Sequence, residues 1–197
     1  MNPAAFMHDH RTAKTTDEWY TPPEIFEALG LTFDLDPAAP PGGVPWVPAR
    51  HHYAASDDGL SRPWGGLVWL NPPYGRQTSA WLDRLADHGE GLALVFSRTD
   101  TAWFHRAARN STALCFIAGR LRFVRPDGTP APAGAGAGSL LIAYGLTAAL
   151  GLAHSGLGPV FPVTSAERQK ARCSLANLRM RNDDGVEVLR TRNGTRS

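Results

Sequence analysis

Cysteine is scarce in this chain: Cys115 and Cys173 stand far apart among 197 residues, with no Cys-x-x-Cys pair and no Cys/His cluster. That spacing gives no disulfide framework and no zinc site, and it fits a reducing, cytoplasmic compartment. Long apolar runs are missing as well. The most apolar stretch, Leu140 to Ala153, is too short and interrupted to span a bilayer, and the opening "MNPAAFMHDHRTAK" lacks the apolar core of a secretory signal. Lysine is nearly absent, with Lys14 and Lys170 beside eighteen arginines, and the net charge is only +2. The expectation is a soluble protein with no membrane association and no evident obligate protein partner.

What is present suits one domain. Hydrophobic residues make up 43% of the chain, enough for a core without covalent staples. Residues 1–16 carry no periodic pattern and read as a flexible leader, and 17–164 read as the folded domain. From Ser165 to the end, eight cationic residues face four acidic ones, a basic tail suited either to nucleic-acid contact or to simple solvation.

"TPPEIFEAL" predicts a helix, with Thr21 as N-cap, Pro22 at the first helical position and Glu24 closing a capping box. "LTFDLDPAA" predicts a short strand, and residues 40–66, rich in Pro, Gly and polar side chains, read as irregular. Strand and helix then alternate: "GLVWLNPPY" with "TSAWLDRLADHG", "GLALVFS" with "DTAWFHRAARN", then "ALCFIAGRLRFV" and "SLLIAYG" as strands near the C-terminal edge. The pattern implies an α/β fold, a largely parallel sheet covered on both faces. "RPDGTPAPAGAGAG" reads as a mobile low-complexity loop. Its Gly-Ala repeat leads into a strand, whereas a phosphate cradle leads into a helix, so it is not a phosphate loop.

Ligands of such sheets bind beyond the carboxyl ends of the strands, where "DPAA" and "NPPY" fall. In "NPPY" the prolines fix φ and keep the preceding residues extended, which sets the directions of the Asn71 amide and the Pro72 carbonyl. Two fixed acceptors can receive both hydrogens of one exocyclic amino group. Pro73 completes the rigid turn, and Tyr74 offers a face on which the same ring can stack. Drawing both N–H bonds toward acceptors favours a pyramidal nitrogen whose lone pair faces an electrophile.

"NPPY" resembles the catalytic motif of amino-methyltransferases that use S-adenosylmethionine, whose DNA adenine members carry Asp or Asn at the first position. "DEWYTPPEIFEAL", "FDLDPAA", "DDGL", "VWLNPPYG", "RTDTAWFH" and "GRLRF" together, over roughly Asp17 to Tyr144, resemble the phage-type, Dam-like DNA N6-adenine methyltransferase family. The resemblance implies a Rossmann-like methyltransferase sheet, S-adenosylmethionine as cofactor, double-stranded DNA as substrate, and a phage or prophage origin with the cytoplasm of a bacterial host cell as its location. It implies that Asp36, Pro37 and Ala38 form the cofactor turn, with Asp36 on the ammonium group. Trp19, Tyr20, Thr21 and Pro22 would close over the methionine moiety. The turn continues "PPGG", outside the usual glycine spacing.

Two βα units would ordinarily separate the cofactor turn from the catalytic strand, about 60 residues at ~30 each. Pro40 through Gly66 provide 27 positions, so that part of the sheet must be reduced. Asp58 is the candidate for the adenine end of the cofactor, with Asp57 as the fallback. Since a paired base cannot reach a cofactor inside the stack, the target adenine would be flipped out, with Arg76, Arg98 and Arg120 on the DNA.

Blander readings stand beside these. "NPPY" and "DPAA" alone are turns after strands, and Arg98, Asp100 and Trp103 suit a helix cap and its packing equally well. His51, His52 and the His8/His10 pair read as solvated loop residues, with no metal role. A protein glutamine or RNA amino-methyltransferase is the alternative function, and a DNA-binding module without catalysis is the third.

Overall fold

The computed structural model describes residues 19–163. The leader and basic-tail assignments therefore lie outside the described residues.

A seven-stranded sheet of order β2-β1-β3-β4-β6-β5-β7 organises the chain. Its strands are β1 (Phe33–Asp36), β2 (Ala49–His52), β3 (Val68–Leu70), β4 (Gly91–Phe96), β5 (Ala113–Phe116), β6 (Ser139–Tyr144) and β7 (Val160–Pro162). The pairs β1–β2, β1–β3 and β3–β4 are parallel, whereas β6 is antiparallel to both β4 and β5, and β7 is antiparallel to β5. The helices are α1 (Pro23–Leu29), α2 (Thr78–His88), α3 (Ala102–Asn110) and α4 (Leu146–His154).

Period-two alternation in the central strands builds two cores. Leu92 and Leu94 of β4, Leu141 and Ala143 of β6, and Ala113 and Cys115 of β5 face α1 and α4. Ala93 and Val95, Leu140 and Ile142, and Leu114 face α2 and α3. Each fully buried leucine or isoleucine contributes about 1.5–3 kcal/mol of transfer free energy, so the register that keeps both faces apolar is strongly fixed. No helix among the described residues is long and apolar enough to cross a membrane.

Several local expectations change. The first helix begins at Pro23 with Pro22 as its N-cap, and no side chain caps it. Thr21 is instead buried, its hydroxyl without a partner, so the capping box does not form. The stretch read as irregular contains β2, recruited by main-chain pairing with β1 although its side chains are mostly exposed. Between β1 and β3 there is no α-helix, only a 3₁₀ turn over Ala55–Asp57. The strand expected to run to Val124 ends at Phe116, and β6 inserts between β4 and β5 instead of lying near the edge.

The segment expected to be mobile is tied down. Ala131 N–H donates to the Phe123 carbonyl and Ala135 N–H to the Leu121 carbonyl, and Val124 pairs with Pro130 across a turn. In that turn Gly128 takes φ +82°, a conformation that favours glycine, and the Asp127 side chain accepts from Thr129. A hairpin over 121–136 thus joins the core through Leu121 and Phe123, with Ala135 packed against it and Ala131 buried.

Candidate ligand site at the carboxyl edge of the sheet

The parallel strands β1, β3 and β4 end side by side, and their last residues hand the chain to Pro37, Asn71 and Ser97. A cavity opens beyond β1 and β3. It is walled by Trp19, Tyr20 and Thr21 on one side, by Asp36 and Ala38 through Pro41 on another, and by Asn71 through Tyr74 on the third. The structure thus brings together three segments that are distant in sequence. Val44, Val47, Ala55 and Trp69 complete the lining, so the "PPGG" departure does not remove the loop from the cavity.

Asp36 is 6% exposed, and one of its oxygens accepts from the Ala38 N–H at 3.1 Å. Burial raises its carboxyl to about 7, with the Ala38 hydrogen bond opposing the shift. Such a group gains from a cationic ligand, because an opposite charge restores the ionised form that burial penalises. Thr21 adds a buried hydroxyl without a partner in another wall of the cavity, and Ala38 and Ala39 leave room for a ligand to approach the backbone.

The Asn-Pro-Pro-Tyr turn is held from several directions. Asn71 Nδ2 donates to the Trp19 carbonyl at 2.8 Å, and Asn71 Oδ1 accepts from the Tyr74 hydroxyl at 3.2 Å. The Thr78 hydroxyl donates to the Pro73 carbonyl and accepts from the Gly75 N–H, both at 3.0 Å. Gly75 sits at φ +128°, which favours glycine at that bend. Sequence reasoning misses Thr78; a threonine at the start of a helix just after "NPPYG" is the available signal.

The Tyr74 ring stacks on Phe96 with centroids 4.3 Å apart and planes 21° from parallel. One face expected to be free for a base is therefore covered by Phe96. Burial pushes the phenol above its ordinary range, so it stays a neutral donor. Tyr74 also borders a second cavity lined by Phe96, Arg98, Asp100, Thr101 and Trp103. Thr101 is the helix cap there, its hydroxyl accepting from the Phe104 N–H. Phe123 meets Phe96 and Trp19 edge-on, and these three rings line a further apolar cleft closed by residues 131–136.

Other expected residues fall elsewhere. Pro22 and Pro37 flank the cavity without lining it. Asp58 is exposed and left-handed at φ +52°, and it caps the 3₁₀ turn; the structure does not bring it to the cavity. The fallback, Asp57, is engaged locally, accepting from the Ala54 N–H at 2.8 Å. The "DDGL" segment has a packing role instead: a Cβ at Gly59 would lie 2.1 Å from the Pro37 carbonyl oxygen, so only glycine lets this loop back against the "DPAA" turn. Arg98 is exposed and lines the second cavity, Arg76 is exposed next to Gly75, and Arg120 is exposed with its guanidinium donating to the Ala135 carbonyl. No group of three or more His, Cys, Asp or Glu side chains among the described residues could hold a metal.

These features define an α/β protein with a largely apolar cavity at the carboxyl edge of its sheet, a buried Asp36 carboxyl and an Asn-Pro-Pro-Tyr turn in the cavity walls. The family model described as DNA N-6-adenine-methyltransferase (Dam) matches residues 9–151, and the chain belongs to that family. Neither the curated proteins nor the solved structures searched contain a match.

Proposed function

We propose that the protein transfers a methyl group from S-adenosylmethionine to N6 of adenine in DNA. The observation that carries this reading is the meeting of a buried carboxylate, Asp36, with the Asn-Pro-Pro-Tyr turn around one cavity in a chain of the Dam family. On this reading the sheet is a methyltransferase sheet of Rossmann type, shortened between β1 and β3 to one strand and a 3₁₀ turn. The cofactor supplies the electrophilic methyl group.

The chain's own residues would do the rest. Asp36 holds an ammonium group, and Thr21 offers its unpartnered hydroxyl nearby. Asn71 Oδ1 keeps a second lone pair beyond the one that meets Tyr74, and no hydrogen bond among the described residues reaches the Pro72 carbonyl. These two acceptors orient the target amine, whose proton leaves after attack. Arg76, Arg98 and Arg120 provide exposed cations for DNA phosphates. The base would be flipped out of the duplex to reach this depth.

Asn71→Ala tests the reading: methyl transfer to plasmid DNA should vanish while calorimetric affinity for S-adenosylmethionine stays within about threefold, since a lost acceptor should not touch bound methionine. Methylation of a peptide or RNA in place of DNA by the native chain would overturn the choice of substrate.

A further inference from the structure

The peptide unit between Trp19 and Tyr20 is hydrogen-bonded on both sides. Its carbonyl accepts from Asn71 Nδ2 at 2.8 Å, and its N–H donates to the Val124 carbonyl at 2.9 Å. The Val124 N–H returns a bond to the Tyr20 carbonyl at 2.9 Å, and the Trp19 ring meets Phe123 edge-on. Because a trans peptide points its C=O and N–H in opposite directions, this one planar unit spans the gap between the 121–136 hairpin and the catalytic turn.

That clamp also decides which atom of the Asn71 side chain points where. A carbonyl oxygen only accepts, so the group facing Trp19 must be a donor; the Tyr74 hydroxyl then meets the remaining Oδ1. We propose that the Trp19 carbonyl, locked to the hairpin through Tyr20 and Val124, is a positioning group that fixes the Asn71 amide with its oxygen toward the target amine and makes asparagine, rather than aspartate, the working residue at this position. The inference rests on the methyltransferase reading above. In Asn71→Asp, an ionised side chain would set a carboxylate oxygen against the Trp19 carbonyl, with no hydrogen between them. Protonation of that carboxyl would restore the donor and so the native pattern.

Asn71→Asp tests this through its pH dependence. The ratio of variant to native methylation rates on DNA should be reduced about tenfold or more at pH 8, the loss expected when a buried polar contact turns repulsive, and should recover as pH falls toward 5.5. Burial raises Asp36 to about 7 in the native chain and it lines the same cavity as position 71, so a readout independent of cofactor binding is needed as well. A fold-level readout runs in parallel: the melting temperature of the variant should approach the native value at pH 5 and fall below it at pH 8. Repeating that measurement with Asp36→Asn in both chains separates the Trp19 carbonyl from repulsion between two carboxylates. A gap that persists supports the clamp, and one that disappears overturns it. Native-like methylation by Asn71→Asp at pH 8, or a ratio flat with pH, would also overturn it while leaving the methyltransferase reading intact. Absence of DNA methylation by the native chain would instead remove the reading on which the inference rests.

Discussion

Tyr74 and Phe96 lie in a parallel stack, and the same Tyr74 donates its hydroxyl to the Asn71 amide oxygen. Phe96 ends β4 and Asn71 follows β3, so two adjacent parallel strands together fix the tyrosine, one through its ring and the other through its hydroxyl. The ring is thereby preorganised as a platform, and its hydroxyl shares an acceptor with the proposed target amine.

The two contacts of Tyr74 should separate in kinetics. Tyr74→Phe keeps the stack and loses one neutral hydrogen bond, about 1 kcal/mol, so the methylation rate should drop less than about tenfold. Tyr74→Ala removes the platform and should raise the apparent KM for DNA as well as lower kcat. Steady-state kinetics on plasmid DNA decide this, and equal losses in both variants would locate the role in the hydroxyl.

Asp36 gives a pH dependence with a definite sign. Its folded carboxyl lies near 7, above the ordinary carboxylate value of 3.8, because it is buried. If the ionised form holds the cofactor's ammonium group, affinity for S-adenosylmethionine should fall by up to about tenfold for each pH unit below 7 and level off above it. The stability of the free protein moves the other way. A raised folded value contributes stability at low pH that is lost as pH rises through about 7. Asp36→Asn should therefore flatten the affinity profile at a weaker value, and melt above the native protein at pH 8, by a smaller margin at pH 5, and close to it only near pH 4. Calorimetric titration and thermal melts across that range check both halves.

Gly59 and Asp58 should behave in opposite ways despite being neighbours. Asp58 is exposed and away from the cavity, so Asp58→Ala should leave cofactor affinity unchanged. Gly59→Ala drives a methyl group into the Pro37 carbonyl, backbone that cannot yield cheaply, and should cost about 1–3 kcal/mol or more, visible as a lower Tm and weaker cofactor binding. A loss of affinity in Asp58→Ala without a loss of stability would return the residue to the site.

This pair shows what the sequence could and could not disclose. The elements with period-two or helical patterning, from β3 through α3 and again at β6, were legible because burial on one or both faces dictates their residues. β2 was not, since "ARHH" joins the sheet through main-chain bonds that leave no hydrophobic signature. The Gly/Ala/Pro hairpin over 121–136 carried a low-complexity composition, yet its order comes from main-chain pairing and from small side chains packing against the core. At the site, the Asp36 and Asn71 segments could be paired from their motifs. The Trp19 carbonyl and the Phe96 stack could not, because one is a backbone atom and the other a ring with an ordinary core identity.

Thr78 offers a test of how far rigidity of the Asn-Pro-Pro-Tyr turn matters. It is 4% exposed, and its hydroxyl is the link between the Pro73 carbonyl and the Gly75 N–H. Thr78→Val keeps the shape of the side chain and strands both main-chain groups, which should cost about 1–3 kcal/mol of stability. If the Asn71 and Pro72 acceptors must be held in place for the amine, the variant should also lose kcat at a temperature well below its melting point, with cofactor affinity nearly unchanged. Thr78→Ser, which retains the hydroxyl, should recover most of the rate. A Thr78→Val protein that melts earlier but methylates at the native rate would show that the turn is held by its prolines alone and that the threonine serves only the fold.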